Sequence, residues 1–233
     1  MKLIALGDTH GRPYWKDIVR YQVYDKIVFI GDYFDTKEEI SAEEQISNFK
    51  EICAFKRTNP DKVILLLGNH DFHYLDWTSE IYTGFQRQYY DEISALLHEA
   101  LANGLLRLCY SFENILFTHA GVSKTWCEAN GIDMTNIESA INELFALDPG
   151  MFEFDPDPLL GEKMEAGISP IWVRPDRLKN DKPEDFIQVV GHTMQLRVRV
   201  IDDIVLIDTL GTSREYLLIE EGKVYVMKIK DDR

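Results

Sequence analysis

The chain has 233 residues, 45% of them hydrophobic and 28% charged, and its 25 basic against 40 acidic side chains leave a formal net charge of −15. That length can bury a sizeable core, no apolar run approaches the ~20 residues of a membrane helix, and the composition is not that of a disordered, collagen-like or disulfide-framed chain. So acidic a surface repels a phosphate backbone, which disfavours extended nucleic-acid binding.

The first residues, Met1–Asp8, turn polar too early for a secretory leader. Cys53, Cys109 and Cys127 are odd in number and form no Cys-x-x-Cys pair, so they read as buried or half-buried thiols of a cytoplasmic protein. No repeat or linker divides the chain. Five apolar, β-branched runs each lead into a polar, glycine-containing turn. Lys2–Leu6 precedes Gly7-Asp8-Thr9-His10-Gly11, and Lys26–Ile30 precedes Gly31-Asp32-Tyr33-Phe34-Asp35. Val63–Leu67 precedes Gly68-Asn69-His70-Asp71, Ile115–Phe117 precedes Thr118-His119-Ala120-Gly121, and Phe186–Val190 precedes Gly191-His192-Thr193.

Helical patterns lie between several of these strands. Ser41-Ala42-Glu43-Glu44 is a capping box that predicts a helix to about Arg57, with Ile46, Phe49, Ile52 and Cys53 on one face. Gln88–Asn103 repeats the pattern through Ile93, Leu96, Leu97, Ala100 and Leu101 and stops at Gly104; Ile137–Leu147 is a third helix. The C-terminal third changes character. Arg197–Ile201, Ile204–Ile207, Glu215–Ile219 and Lys223–Ile229 read as consecutive short strands, with Glu220-Glu221-Gly222 as a hairpin turn. Strand–helix alternation followed by a β-rich tail (195–229) predicts an α/β sandwich with mixed sheets, read as one domain over 1–233.

Every Asp, His and Asn of interest follows a buried strand, at the end where loops converge into an active site in open α/β sheets. Carboxylates, imidazoles and one amide carbonyl, with no thiolate, are the donors of a hard-to-borderline metal site. The i, i+2 spacing of Asp8 and His10, taken as extended, points both side chains the same way. Any one of these turns alone is as easily an ordinary polar turn. Five in order, each at a strand end, form a joint signal.

Those five motifs resemble the calcineurin-like metallophosphoesterases. Gly31–Asp35 with Thr118–Gly121 is most similar to the serine/threonine phosphoprotein phosphatase branch, which includes bacterial and phage phosphatases and symmetrical dinucleoside tetraphosphatases. Ile171-Trp172-Val173-Arg174-Pro175 is similar to a Trp-x-Arg segment of bacterial members, and Asp208-Thr209-Leu210-Gly211 to the Asp-Thr-Gly that closes their core. The resemblance implies a four-layer α-β-β-α sandwich of two mixed sheets flanked by helices, with the active site at the strand C-terminal ends. It also implies two divalent ions: Asp8, His10 and Asp32 around the first, and Asp32, Asn69, His119 and His192 around the second. A shared carboxylate suits ions ~3.5–4 Å apart, and a bridging hydroxide would attack phosphorus in line. Manganese is the first expectation, with iron, zinc or nickel as alternatives.

By the same resemblance His70 is the general acid that protonates the leaving oxygen, and Asp35 is the carboxylate that orients its ring and favours imidazolium. Asp71 reads as a loop-capping carboxylate outside the catalytic set. Arg174 and Arg12 are the candidate phosphate clamps, since a guanidinium can hold two phosphoryl oxygens; Arg12 reads equally well as an ion-pair residue. The chain departs from the family pattern at Thr36-Lys37, where many members carry Arg-Gly, so Lys37 or Arg12 would have to replace one arginine. It departs again at Met194, where many members carry a second histidine.

The aromatic stretch Phe72–Tyr90, with His73, Tyr74, Trp77, Tyr82, Phe85, Tyr89 and Tyr90, reads first as core and second as a lid or base-stacking wall, within a candidate lid or substrate segment 72–103. His73 and His98 are not assigned to metal. Asp148–Asp157 reads as an irregular loop bordering the site. The expected substrate is a phosphoprotein, small phosphoester or nucleotide, with dinucleoside polyphosphate hydrolysis as the alternative and a phosphodiesterase or inactive scaffold behind both. No membrane or extended nucleic-acid partner is expected, and nothing in the sequence selects an oligomeric state.

Overall fold

The computed structural model describes residues 1–77, 81–154 and 168–229. Its strands are β1 (Lys2–Leu6), β2 (Lys26–Phe29), β3 (Val63–Leu66), β4 (Leu106–Arg107), β5 (Cys109–Phe112) and β6 (Ile115–Thr118). They continue with β7 (Ile187–Val190), β8 (Arg199–Ile201), β9 (Ile204–Leu206), β10 (Glu215–Glu220) and β11 (Lys223–Lys228). One sheet runs β11-β10-β1-β2-β3-β4 and the other β5-β6-β7-β9-β8. In the first, β1 to β4 are parallel and β10 and β11 antiparallel. In the second, β6, β7 and β9 are parallel and the edges β5 and β8 antiparallel. Both sheets are therefore mixed.

Strand alternation builds the layers. Leu3, Ala5, Val28, Ile30, Ile64 and Leu66 face inward and meet Ile115, Phe117, Val189, Val205 and Ile207 of the other sheet. The alternate residues Ile4, Leu6, Ile27, Phe29, Val63 and Leu65 face out onto helices. Those helices are α1 (Trp15–Tyr21), α2 (Ala42–Thr58), α3 (Asn69–Phe72), α4 (Tyr90–Ala102), α5 (Lys124–Ala129) and α6 (Ile137–Leu147). On the far face of the second sheet, Val190, Ile204 and Leu206 pack on Leu178 of α7 (Pro175–Asp181). Two mixed sheets between helices is the expected class. Full burial of each large apolar side chain contributes about 1.5–3 kcal/mol, which is why the central strands read as nearly continuous apolar runs.

Local signals are realised where expected. Ser41 accepts from the Glu44 amide and Glu44 answers to Ser41, closing the capping box of α2, worth about 1 kcal/mol. Glu221 and Gly222, with φ of 52° and 70°, form the two-residue turn between β10 and β11. The four C-terminal strands do not stay together: β8 and β9 join the second sheet, while β10 and β11 return to the first beside β1. All three cysteines are buried and free. Pro149–Phe152 is a short 3-10 helix whose Phe152 is buried, and positions 155–157 of the expected acidic loop lie outside the described residues. No helix among the described residues is long and apolar enough to cross a membrane.

Candidate metal centre

The turns after β1, β2, β3, β6, β7 and β9 converge on one rim where the two sheets meet. They carry Asp8 and His10, Asp32 and Asp35, Asn69 and His70, His119, His192 and Asp208. His10, Asp32, Asp35 and His192 have φ of 42°, 51°, 64° and 62°, a left-handed conformation that costs most residues energy and persists where the surroundings enforce it. The Asp8–His10 segment is therefore not extended: a turn, with the His10 amide donating to the Asp32 carbonyl at 2.7 Å, aims both side chains at the centre. Two glycines make room. A Cβ on Gly68 would sit 2.1 Å from Asp32 Oδ1, and one on Gly191 would sit 1.9 Å from Asp8 Oδ1.

Ring tautomers decide what the centre offers. His119 Nδ1 lies 3.0 Å from the Ile30 carbonyl and His10 Nδ1 2.5 Å from that of Phe34. A carbonyl can only accept, so each Nδ1 carries the proton and each Nε2 presents a lone pair. His192 is held the other way, Nε2 donating to the Trp172 carbonyl at 3.1 Å, which leaves Nδ1 as its lone pair. His119 Nε2 and His192 Nδ1 both lie 2.8 Å from Asn69 Oδ1, itself an acceptor. Asp32 Oδ2 is 3.5 Å from His119 Nε2 and 3.8 Å from His10 Nε2. Lone pairs facing one another at these distances repel unless a cation lies among them, and the neutral imidazole, carboxylate and amide set suits a divalent ion. Asp8, Asp32 and His119 come within 4.8 Å of one another.

Charge tells the same story. Burial, then the neighbouring Asp208, pushes the Asp8 carboxyl well above the usual range; burial, then Asp8 and Asp71, does the same to Asp32. Burial raises Asp208 to about 6 despite Arg12, and Asp208 shares a hydrogen bond with Asp8. Burial lowers His10 and His119 to about 3 and holds His192 well below the usual imidazole range. The imidazoles are thus held neutral and ready to ligate, and burial disfavours the ionised carboxylates unless a cation sits among them.

Asp71 is a brace, accepting from the amides of Asp32 at 2.8 Å, Tyr33 at 2.8 Å and Gly68 at 2.9 Å. It ties the turns after β2 and β3 together. Arg12 is buried and bound to Glu38, Nε at 2.9 Å and a terminal nitrogen at 2.8 Å, an ion pair at the edge of the centre. Arg174 is half-buried and donates to the His192 carbonyl at 3.4 Å and Thr193 Oγ1 at 3.3 Å, which places its guanidinium beside the ligands. Lys37 is exposed and close enough for its charge to favour ionised Asp208.

Across the centre, His70 Nδ1 donates to Asp35 Oδ2 at 3.0 Å, and the His70 amide donates to Asp32 Oδ1 at 2.9 Å. Asp35 also contacts His73, whose Nε2 is 2.6 Å from Oδ2, and accepts the Tyr74 hydroxyl on Oδ1 at 2.5 Å. Burial raises the Asp35 carboxyl, but His70, His73 and Tyr74 outweigh it and hold it well below the usual range. In the aromatic stretch, Tyr74 stacks on Phe85, His73 on Tyr82, and Tyr82 leans on Trp172 with centroids 4.4 Å apart. The described rings pack on one another rather than forming a free stacking face; positions 78–80 lie outside the described residues. His98 packs its ring edge on Trp77. Sequence reasoning left His73 and Asp208 without a role at the site. Asp208 carries the same signal as the others, an acid directly after a buried strand, whereas nothing local marks His73.

Comparison with known proteins gives the family. The family model described as calcineurin-like phosphoesterase matches residues 1–200. The chain belongs to that family. Its members are metal-dependent phosphoric ester hydrolases, and this chain is a metallophosphoesterase. Among solved structures, a cold-active protein tyrosine phosphatase is 21% identical with a TM-score of 0.62, over 97% of this chain and 75% of that one. A protein serine/threonine phosphatase from Saccharomyces cerevisiae is 13% identical with a TM-score of 0.59, over 100% of this chain and 81% of that one. At such identities the likeness is one of fold. No curated protein sequence matches.

A metallophosphoesterase whose ligand carboxyls are pushed up by burial has a predictable response to pH. A carboxyl whose pKa is raised by folding stabilises the fold below its unfolded value near 3.8 and ceases to as pH rises through the folded value. Metal-depleted protein therefore loses this contribution as pH rises, and metal must displace fewer protons there. The rise in Tm on adding manganese is expected to be larger at pH 8 than at pH 5.5 by scanning fluorimetry. Equal rises at the two pH values would mean that the ligands release no protons.

Proposed function

We propose that this chain is a dinuclear phosphatase acting on phosphomonoesters, phosphoprotein or small phosphoester. The observation that carries the reading is the set of lone pairs from His10, Asp32, Asn69, His119 and His192 gathered on one rim, opposite a histidine–aspartate pair. Asp8, His10 and Asp32 would hold one ion and Asp32, Asn69, His119 and His192 the other, with Asp32 common to both sets. Two divalent ions there supply Lewis acidity that polarises the phosphoryl group and lowers the pKa of water.

The rest belongs to the protein. Asp35 accepts the Nδ1–H hydrogen bond of His70, so Nε2 is the atom that hands a proton to the leaving oxygen. The bond from the His70 amide to Asp32 Oδ1 ties that acid to the shared carboxylate, setting its place relative to the phosphorus. Arg174 turns from its long bonds to His192 and Thr193 toward two phosphoryl oxygens. Arg12, committed to Glu38, supports the first turn rather than the substrate.

The test is a substrate panel on chelated and manganese-reloaded protein: p-nitrophenyl phosphate, a phosphopeptide, mononucleotides and diadenosine tetraphosphate. Hydrolysis of the monoesters is expected, lost on chelation and regained with manganese. Hydrolysis of the tetraphosphate alone would assign the anhydride as substrate, and no hydrolysis of any would sink the reading.

A further inference from the structure

We propose that His73 is a positioning residue for the general acid, acting through Asp35 on the orientation of the His70 ring; this rests on the reading of His70 given above. The Tyr82 amide donates to His73 Nδ1 at 3.3 Å, so the neutral ring carries its proton on Nε2. Burial, outweighing Asp35, lowers the His73 pKa and keeps the ring neutral. Nε2 then lies 2.6 Å from Asp35 Oδ2, the same oxygen that receives His70. His73 Nε2 meets no acceptor among the described residues other than Asp35, so an ionised Asp35 is what keeps this buried N–H tolerable.

On the other oxygen the sharing is equally full. The Tyr74 hydroxyl donates to Oδ1 at 2.5 Å while accepting from the Gln86 amide at 2.7 Å, and Gln86 Nε2 reaches the same oxygen at 3.4 Å. Four groups thus surround one carboxylate; the His70 side chain is 19% exposed, while those of His73 and Asp35 are 0% exposed and Tyr74 is buried. A carboxylate held on all sides cannot swing, and the ring bonded to it cannot rotate about χ2 without losing that bond. The aromatic stretch gains a role here: stacking of His73 on Tyr82 and of Tyr74 on Phe85 sets the two side chains that clamp Asp35.

A loosened general acid has a signature that general damage lacks. It slows substrates with poor leaving groups and spares those whose leaving group needs no proton. With manganese-loaded protein, His73→Leu is expected to lower kcat on phenyl phosphate about 10–100-fold, p-nitrophenyl phosphate less than about 3-fold, and to leave KM and metal content unchanged. His73→Gln, which keeps an N–H donor, restores most of the loss. In a His70→Asn background the leucine change adds nothing, because both act on one step. Equal losses on the two esters, or a further loss in the His70→Asn background, would overturn the inference. If the leucine variant does not fold, His73→Gln and His73→Asn give the same contrast, the longer amide near wild type and the shorter one impaired. A wild-type protein inactive on both esters overturns the phosphatase reading together with this one. An active wild type with equal losses overturns this one alone.

Discussion

Asp32→Asn is expected to abolish tight binding of both ions and to lower kcat by on the order of 10³-fold, while leaving the metal-free protein as stable as wild type or more so. The argument turns on what the carboxylate does in each state. Oδ2 lies 3.5 and 3.8 Å from the lone pairs of His119 and His10, and Oδ1 accepts the His70 amide at 2.9 Å. Asparagine can still accept that amide bond and fills the same volume, but it brings no charge to share between two cations. Loss of the Lewis acid removes several kcal/mol of transition-state stabilisation, about three decades in rate. Without metal the sign reverses. Burial, with Asp8 and Asp71 nearby, pushes the Asp32 carboxyl well above the usual range, so ionising it as pH rises costs stability that an amide does not. Metal content by mass spectrometry and Tm by calorimetry separate the two effects. Two equivalents of manganese bound to the variant would remove Asp32 from the bridging position.

That a carboxylate can be read from sequence while its consequences cannot is general to this molecule. The turns carrying Asp8, Asp32, Asn69, His119 and His192 are legible because β1, β2, β3, β6 and β7 are apolar on both faces and stop abruptly at small polar residues. The capping box of α2 and the Glu221-Gly222 turn are legible because their chemistry is local. The return of β10 to pair with β1 is not: Leu3 opposes Ile219 and Ala5 opposes Leu217, yet an amphipathic strand advertises a face and not a partner. Helices α1 and α7, each of 7 residues, are too short for their few buried side chains to show a period. The left-handed φ of His10, Asp32, Asp35 and His192 has no glycine to announce it, because the converging turns impose it. His73 meets Asp35 across a separation of 38 positions that no local pattern encodes.

The second large effect isolates chemistry from binding. His70→Asn is expected to lower kcat on phenyl phosphate about 10²–10⁴-fold, with KM little changed and both ions retained. The His70 ring lies edge-on to that of His10, centroids 5.5 Å apart, but its Nδ1 is bonded to Asp35 at 3.0 Å rather than offered to an ion. The link from position 70 to Asp32 is made by the backbone amide, which asparagine keeps. Asparagine is too short to span from the α3 turn to both Asp35 and a leaving oxygen, and its amide has no proton to give at neutral pH. On p-nitrophenyl phosphate, whose leaving group departs as an anion, the loss should be far smaller. That pairing is the diagnostic: Asp32→Asn fails on both esters and loses metal, while His70→Asn keeps metal and fails chiefly where a proton is needed. Should His70→Asn lose metal instead, the residue would belong with the ligands. Should it keep full kcat on phenyl phosphate, the proton would have to come from another group, and Asp35 would be bracing a turn rather than an acid.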